Sequence, residues 1–301
     1  MSDTVSATEA KTSKKQTFLR RFLSTIWLWA IMAVSFVLAK DWLFMVMFLG
    51  ITMVGVWEYF RLFTHQRFRR YLWPTLVVTL LYGVLLFLPR FGIDWAGKEQ
   101  LDALAIAVLV FSVFFIRIQK SLDGFETLEE IVSTVFGFIY IVILSAFLVR
   151  ILHMPLTGNG GEPTAHLYLL YLVAVTKFTD MGAYLVGSLI GKHKMIPHVS
   201  PAKTWQGFGG AILFAGIASF GFYFLWGDKL PLITPMHAAV LAVLLGVLAV
   251  VGDLIESVIK RCVAIKDSGQ MMPGIGGILD LIDSLLFTAP ALYLYLSLLN
   301  R

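Results

Sequence analysis

Residues 236–283 read MHAAVLAVLLGVLAVVGDLIESVIKRCVAIKDSGQMMPGIGGILDLID, in which an apolar run leads directly into a polar, glycine-rich stretch. The part from Asp253 to Asp283 contains four aspartates, one glutamate, three basic residues and four glycines. A second apolar run follows, so this charge lies between two segments that are hydrophobic enough for a membrane. Charged side chains at the edge of a membrane segment are costly, and they usually mark a functional site.

Two acidic stripes flank a glycine-rich bend within this stretch. Four polar residues share one helix face by their i, i+3, i+4 and i+7 spacing: Asp253, Glu256, Ser257 and Lys260. The next helix begins with the same i, i+3, i+4 spacing at Asp280, Asp283 and Ser284. Residues 273–277 (PGIGG) cannot continue a helix, and their amides can form a phosphate-binding nest. The arrangement predicts a metal-assisted phosphate site.

The composition indicates a membrane protein. The chain has 301 residues, of which 58% are hydrophobic and 14% charged, and its mean hydropathy is +0.81. The net charge of +5 is spread between apolar runs, which does not suit a nucleic-acid-binding protein. Cys262 is the single cysteine, which excludes an internal disulfide and a thiol metal site.

Nine apolar runs are long enough to cross a bilayer, which predicts an all-α, polytopic integral membrane protein. They lie near residues 22–39, 42–62, 71–89, 101–118, 130–152, 165–190, 207–226, 236–259 and 279–299. The first is expected to be an uncleaved span, not a signal peptide. We therefore expect a polar tail at 1–21, about five N-terminal spans in 22–164 and a catalytic transmembrane region in 165–301.

Lysine and arginine positions predict the orientation. With nine spans, 17 of the 24 lysines and arginines fall on the side of the N-terminus. The positive-inside rule then places the N-terminal tail and the polar stretch in the cytoplasm. The active site is accordingly expected at the cytoplasmic face of a membrane, the inner membrane if the source is a bacterium.

Carboxylates on separate spans are expected at one depth. At 1.5 Å per residue, Asp253 lies roughly 26 Å into its span and Asp180 roughly 22 Å into its own. Asp280 and Asp283 begin a span that starts from the inner side. All four are therefore predicted in the cytoplasmic third of the bilayer, around a water-filled cavity.

The acidic set suits a hard cation. Carboxylate oxygens near phosphate are typical ligands of Mg²⁺, and the candidates are Asp253, Asp267, Asp280 and Asp283, with Asp180 as a fifth. The alternative is a structural role: Asp280 suits the dipole of its helix start, and Asp267 is equally well an ion-pair partner of its neighbour Lys266.

A second motif, SPAKTWQG at 200–207, precedes a predicted helix. Lys203 and the Thr204 hydroxyl are placed to bind an anion together with the amides of the helix start. The alternative is a purely structural role, in which Ser200 begins an ordinary Ser-Pro turn and Trp205 anchors the chain at the membrane interface.

A third motif, KFTDMGAY, covers residues 177–184. Lys177 and Asp180 are spaced to form an ion pair within the membrane, and we assign a functional role to Asp180 while leaving Lys177 open. Gly182 and its small neighbours indicate tight helix packing. Elsewhere, Glu58 is expected to pair with Arg61 one turn away.

These motifs resemble those of the phosphatidate cytidylyltransferases, or CDP-diacylglycerol synthases. The resemblance rests on Ser257, Lys260-Arg261, Lys266-Asp267, residues 273–277 and the Asp280/Asp283 pair, together with 180–184 and 200–207 upstream. It covers the C-terminal half of the chain. Two positions depart from the family pattern: Ile275 replaces a histidine and Leu281 replaces an arginine.

The resemblance implies a reaction and a site. A CMP group would pass from CTP to phosphatidate in the bilayer, giving CDP-diacylglycerol and pyrophosphate. Mg²⁺, with a second ion left open, would be held by Asp253, Asp280 and Asp283. The implied catalytic residues are Asp253, Asp267, Asp280, Asp283 and Lys260. The implied substrate-binding residues are Asp180, Ser200, Lys203, Thr204, Ser257, Arg261, Lys266, Gly276 and Gly277.

Other functions stay open at this point. A CTP-dependent transferase acting on another lipid phosphate or a polyprenol fits the same motifs. An ion-coupled secondary transporter would also carry intramembrane Asp and Lys residues and broken helices, but it predicts polar residues at the midplane of paired halves. An inactive, lipid-binding paralogue is compatible with the changes at Ile275 and Leu281. Small-residue faces on the spans are compatible with a homodimer.

Overall fold

The computed structural model describes residues 33–63, 69–95, 97–121, 123–263, 265 and 277–300. Its α-helices are α1 (Asp41–Leu62), α2 (Arg69–Phe87), α3 (Leu101–Ile118), α4 (Phe125–Phe138), α5 (Leu144–His153), α6 (Ala165–Ile190), α7 (Trp205–Trp226), α8 (Pro235–Cys262) and α9 (Ile278–Leu299). A π-helical turn, Ile139–Ile143, joins α4 to α5 in one continuous helical segment. Short 3-10 turns lie at Leu88–Phe91, Lys98–Gln100 and Gly227–Lys229.

Eight helical segments within the described ranges are long and apolar enough to cross a membrane. They coincide with eight of the nine predicted spans, and this confirms an all-α, polytopic integral membrane protein. Most of the predicted first span, residues 22–39, and all of the polar tail at 1–21 lie outside the described residues. The ninth span and the cytoplasmic N-terminus therefore stay predictions.

Local sequence signals fix where α7 and α8 begin. In α8, Pro235 occupies the first turn and the Thr234 hydroxyl accepts a hydrogen bond from the amide of His237 at 3.4 Å. In α7, the Thr204 hydroxyl accepts from the amide of Gly207 at 3.1 Å. Both helices then continue through apolar residues. Because the bilayer core contains no water, their backbone N–H and C=O groups must form hydrogen bonds within the helix.

The connection between α6 and α7 forms a small hairpin where the sequence predicted only a loop. Strand β1 (Lys194–Ile196) pairs antiparallel with strand β2 (Ser200–Thr204), with Lys194 opposite Thr204. Pro197, which has no amide hydrogen to contribute to the strand pairing, lies in the connection between the strands. The SPAKT sequence is therefore a strand, not an ordinary Ser-Pro turn, and its end is fixed at the start of α7.

Glycines bring α6 and α7 into close contact. A Cβ atom on Gly182 would lie 2.5 Å from the carbonyl oxygen of Gly210, and one on Gly210 would lie 2.6 Å from that of Gly182. Only glycine permits this approach, which is the small-residue packing common between membrane helices. The predicted role of Gly182 in tight helix packing is confirmed.

Gly252 allows a similarly close contact between α8 and α9. A Cβ atom there would lie 2.6 Å from the carbonyl oxygen of Asp283 and 3.0 Å from the Cα of Ser284. The two backbones are in contact at the position where each helix carries a carboxylate. Asp253 follows Gly252 directly, so this contact sets the separation of Asp253 from Asp283.

We expect Gly252→Ala to separate α8 from α9 and to lower the free energy of unfolding by about 1–3 kcal/mol, the typical cost of overpacking. Gly216→Ala is the matched control because a Cβ on this α7 glycine meets no atom within 4 Å. Thermal unfolding of the two purified variants in detergent measures the difference. Equal stability of the two variants would contradict the close contact.

Candidate active site

Three carboxylates converge where α8 meets α9. Oxygen atoms of Asp253, Glu256 and Asp283 all lie within 4.8 Å of one another; we call these three residues the acidic cluster. Glu256 is 3% exposed and Asp283 is 5% exposed, whereas the Asp253 side chain is 42% exposed. The i, i+3 spacing of Asp253 and Glu256 places both on the face of α8 that meets α9.

Asp280 lies beside the acidic cluster and has partners of its own. Its Oδ1 is 2.7 Å from Lys260 Nζ, and its Oδ2 accepts a hydrogen bond from the amide of Gly277 at 2.8 Å. Lys260 Nζ is also 2.6 Å from Glu256 Oε2. The structure thus shows Asp280 in the helix-capping and ion-pair position that is the alternative to a metal ligand, beside Glu256 of the acidic cluster.

Asp180, on α6, lies next to α9 close to the acidic cluster. Its Oδ1 accepts a hydrogen bond from the Ser284 hydroxyl at 3.2 Å, and its Oδ2 is 3.2 Å from Lys177 Nζ. Lys177 Nζ also donates to the carbonyl oxygen of Leu281 at 2.8 Å. Carboxylates from α6, α8 and α9 therefore lie side by side. A lysine ammonium contacts position 281, where the chain lacks the arginine of the family pattern.

The hairpin brings a further lysine to Asp253. Lys203 Nζ, at the end of β2, is 2.9 Å from Asp253 Oδ2 and donates to the carbonyl oxygen of Val250 at 3.2 Å. Thr204 is buried, and its hydroxyl serves as the N-cap of α7. Ser200 lies opposite Ile196 in the strand pair. Of the motif's predicted anion-binding groups, the structure thus brings Lys203 into direct contact with the carboxylates.

A cavity of about 480 Å³ opens next to these residues. It lies between α6, the hairpin, the start of α7 and the middle of α8. Its polar lining includes Asp180, Ser188, Lys194, Lys203, Thr204 and Asp253, and its apolar lining includes Tyr184, Phe208 and Val250. A space of this size with convergent lysines and carboxylates can hold a small, phosphate-bearing molecule.

The remaining predicted site residues lie at the margin of the described structure. Arg261 is exposed, and its Nε donates to the carbonyl oxygen of Val199 at 3.3 Å. Ser257 is half-buried on α8, next to Glu256. Asp267, Lys266 and Gly276 lie outside the described residues.

Two glutamates differ from the sequence-based expectation: Glu256 belongs to the acidic cluster although it is not among the predicted ligands, and Glu58 has a partner other than Arg61. Glu256 was placed on the polar stripe but not among the ligands, although its i, i+3 spacing from Asp253 was a usable signal. Glu58 does not pair with Arg61: its Oε2 accepts from the amide of Leu279 at 3.1 Å, while the Arg61 guanidinium lies 4.1 Å from the centre of the Trp57 ring. No local pattern could reveal a bond across 221 positions.

Comparison with known proteins gives a family. Residues 19–299 match the Cytidylyltransferase family. The chain is 32% identical over 228 residues to the phosphatidate cytidylyltransferase of Bacillus subtilis (strain 168), which covers 75% of this chain and 80% of that protein. It is 28% identical over 291 residues to the phosphatidate cytidylyltransferase of Synechocystis sp., and this similarity covers 89% of this chain and 93% of that protein.

A further similarity is to the uncharacterized protein YnbB of Escherichia coli (strain K12), at 37% identity over 166 residues, 55% of this chain and 53% of that protein. The family match extends over both halves of the chain, including the N-terminal helices that the sequence analysis could compare only by hydrophobicity. The chain therefore belongs to the cytidylyltransferase family and is a nucleotidyltransferase.

Proposed function

We propose that the protein transfers CMP from CTP to phosphatidate, producing CDP-diacylglycerol and pyrophosphate with Mg²⁺ bound at the acidic cluster. One observation carries the proposal. Asp283 is buried against the carboxylates of Asp253 and Glu256, and it forms no ion pair with any residue that the structure describes. The names of the relatives in Bacillus subtilis and Synechocystis support the choice of substrate.

Charge balance supports a divalent cation. The carboxylates that meet here are Asp180, Asp253, Glu256, Asp280 and Asp283. The lysines that form ion pairs with them, within the described part of the chain, are Lys177, Lys203 and Lys260. With all five carboxylates ionised, two negative charges remain uncompensated, which equals the charge of one Mg²⁺, and buried charge without compensation is strongly unfavourable.

The donor set also suits this ion. All the converging atoms are carboxylate oxygens, the ligands that Mg²⁺ prefers, and short side-chain rotations are enough to bring oxygens within 4.8 Å of one another onto one ion. Asp253 and Asp283 belong both to the set predicted from sequence and to the acidic cluster. We assign Glu256 as the third ligand of the cation. Asp280 then has a different role, which is to orient Lys260 through their ion pair.

The reaction needs positioning more than proton transfer. An oxygen of the phosphatidate phosphate forms a bond to the α-phosphorus of CTP, and the bond from that phosphorus to the bridging oxygen breaks, releasing pyrophosphate. A phosphomonoester with a second pKa of about 6 is already largely anionic at neutral pH. Bound Mg²⁺ would neutralise charge on the phosphates and the leaving group.

Side chains of the cavity supply the remaining electrostatics. Lys203 and Lys194 line the cavity, where ammonium groups reduce the repulsion between two anionic reactants. We assign phosphate binding to Lys203, Arg261 and Lys266, in agreement with the motifs. The apolar side of the cavity, with Tyr184 74% exposed, provides a lateral route for a lipid whose acyl chains stay in the bilayer.

The orientation belongs to the same proposal. We place the cavity at the cytoplasmic face, where CTP is available, because most lysines and arginines fall on that side of a nine-span chain. The relatives are bacterial, which favours the inner membrane. The catalytic region is then 165–301, and the spans in 22–164 support it.

We expect the purified protein to convert α-labelled CTP and phosphatidate into CDP-diacylglycerol, with one pyrophosphate released per product, only when Mg²⁺ is present. Asp283→Asn should lower the rate at least ~100-fold because it removes one buried charge while keeping an acceptor for the Ser284 amide. Asp228→Asn, at an exposed position in the 3-10 turn that follows α7, is the matched control.

Competing lipids complete the assay. Phosphatidate should be preferred to a polyprenyl phosphate and to other lipid phosphates offered at equal concentration. Failure to form any CDP-lipid under conditions in which the Bacillus subtilis relative is active would refute the proposed function.

A Mg²⁺ titration of two variants tests the third ligand. We expect Glu256→Gln to raise the Mg²⁺ concentration for half-maximal activity at least ~10-fold, because it removes a cation ligand. Asp280→Asn should lower the maximal rate through Lys260 while leaving the Mg²⁺ requirement close to that of the wild type. The reverse result would restore Asp280 as the ligand, as the sequence predicted.

A further inference from the structure

The π-helical turn Ile139–Ile143 interrupts the span that runs from Phe125 to His153. Such a turn inserts one extra residue into an α-helix, which changes the direction in which the local side chains point, and it is frequent at functional sites. The turn lies in the N-terminal half, where the sequence motifs assigned no role.

Tyr140, in this turn, carries a buried polar group without a partner. Its side chain is 4% exposed, and its hydroxyl forms no hydrogen bond with the residues that the structure describes. Other buried tyrosine hydroxyls do have hydrogen-bond partners: those of Tyr59, Tyr71, Tyr82, Tyr168 and Tyr171. A buried donor without a partner is costly, so this hydroxyl calls for an explanation.

The surroundings of Tyr140 supply that explanation. Its ring stacks on Phe136 at 5.7 Å and contacts the ring of Phe287 at 6.4 Å between centres. Phe287 lies one turn after Asp283 on α9, and a Cβ on Gly252 would lie 3.1 Å from its ring. Phe287 thus touches both the Tyr140 ring and the contact between α8 and α9 at Gly252, the position that adjoins Asp253 and Asp283.

We propose that Tyr140 is a positioning residue for the acidic cluster: its hydroxyl donates a hydrogen bond to a cluster carboxylate when the cluster holds a divalent cation, and so fixes that carboxylate's orientation. This inference rests on the proposed function. It assigns a part of the site to the N-terminal half, through a hydroxyl that has no other partner in the described structure. Hydrogen-bond donors behind metal ligands commonly change metal affinity 10–100-fold.

The test measures Mn²⁺ binding to the purified full-length protein without substrates, by the loss of the free-ion signal in electron paramagnetic resonance. Mn²⁺ accepts the same oxygen ligands as Mg²⁺. We expect Tyr140→Phe to weaken Mn²⁺ binding at least ~10-fold. Tyr171→Phe, which removes an equally buried hydroxyl bonded to Ser219, should bind Mn²⁺ as the wild type does.

Thermal unfolding without metal separates positioning from a general structural role. Tyr140→Phe should be at least as stable as the wild type because it removes an unpaired buried hydroxyl, whereas Tyr171→Phe should be less stable because it breaks a hydrogen bond. Added Mn²⁺ should then raise the melting temperature less in Tyr140→Phe than in Tyr171→Phe. Tyr140→Leu, also without a hydroxyl, is the second variant if Tyr140→Phe does not fold.

The outcomes separate this inference from the proposed function. Wild-type Mn²⁺ affinity in Tyr140→Phe, in a protein that binds Mn²⁺ and forms CDP-lipid, overturns the positioning role alone. A wild-type protein that neither binds Mn²⁺ nor forms product overturns the proposed function together with the inference. Weakened Mn²⁺ binding in both tyrosine variants would assign the effect to general destabilisation and also overturn the role of Tyr140.

Discussion

Buried negative charge is the constraint on which the rest of this structure depends. Five carboxylates from α6, α8 and α9 meet in a helical membrane protein, and three lysines form ion pairs with four of them. Asp283 is left buried and unpaired among the described residues. Removing a charge from water requires a compensating partner, and we therefore propose that this part of the helix bundle holds a cation. Lys203 of the hairpin lies beside the acidic cluster.

The two halves of the chain are joined at this charged site. Glu58 on α1 accepts a hydrogen bond from the first turn of α9, and Tyr140 contacts Phe287 one turn beyond Asp283. A Cβ on Gly55 would also meet side chains of Ile278 and Leu279. The N-terminal helices therefore support the start of α9 directly. This agrees with a family match that extends from residue 19 to residue 299.

Apolar periodicity and motif spacing predicted much of this arrangement, because both are local properties. Run length located eight spans within a few residues, and the i, i+3 stripe placed Asp253 and Glu256 on one helix face. Which charged groups pair with one another, in contrast, depends on residues that are far apart in the sequence. Asp280 and Glu256 compete for Lys260, and Glu58 pairs with an amide 221 positions away rather than with Arg61. The three-residue turn of the hairpin, and the Tyr140 hydroxyl that has no hydrogen-bond partner among the described residues, depend on tertiary contacts that spacing does not encode.

The proposed cation site is tested most directly by locating the ion itself. Crystals of the protein grown with Mn²⁺ and a non-hydrolysable CTP analogue would show the ion by its anomalous scattering. We expect a single strong peak within about 2–2.5 Å of carboxylate oxygens of Asp253 and Asp283, adjoining the cavity that Lys203 lines. A peak away from both residues, or no peak at saturating Mn²⁺, would contradict it.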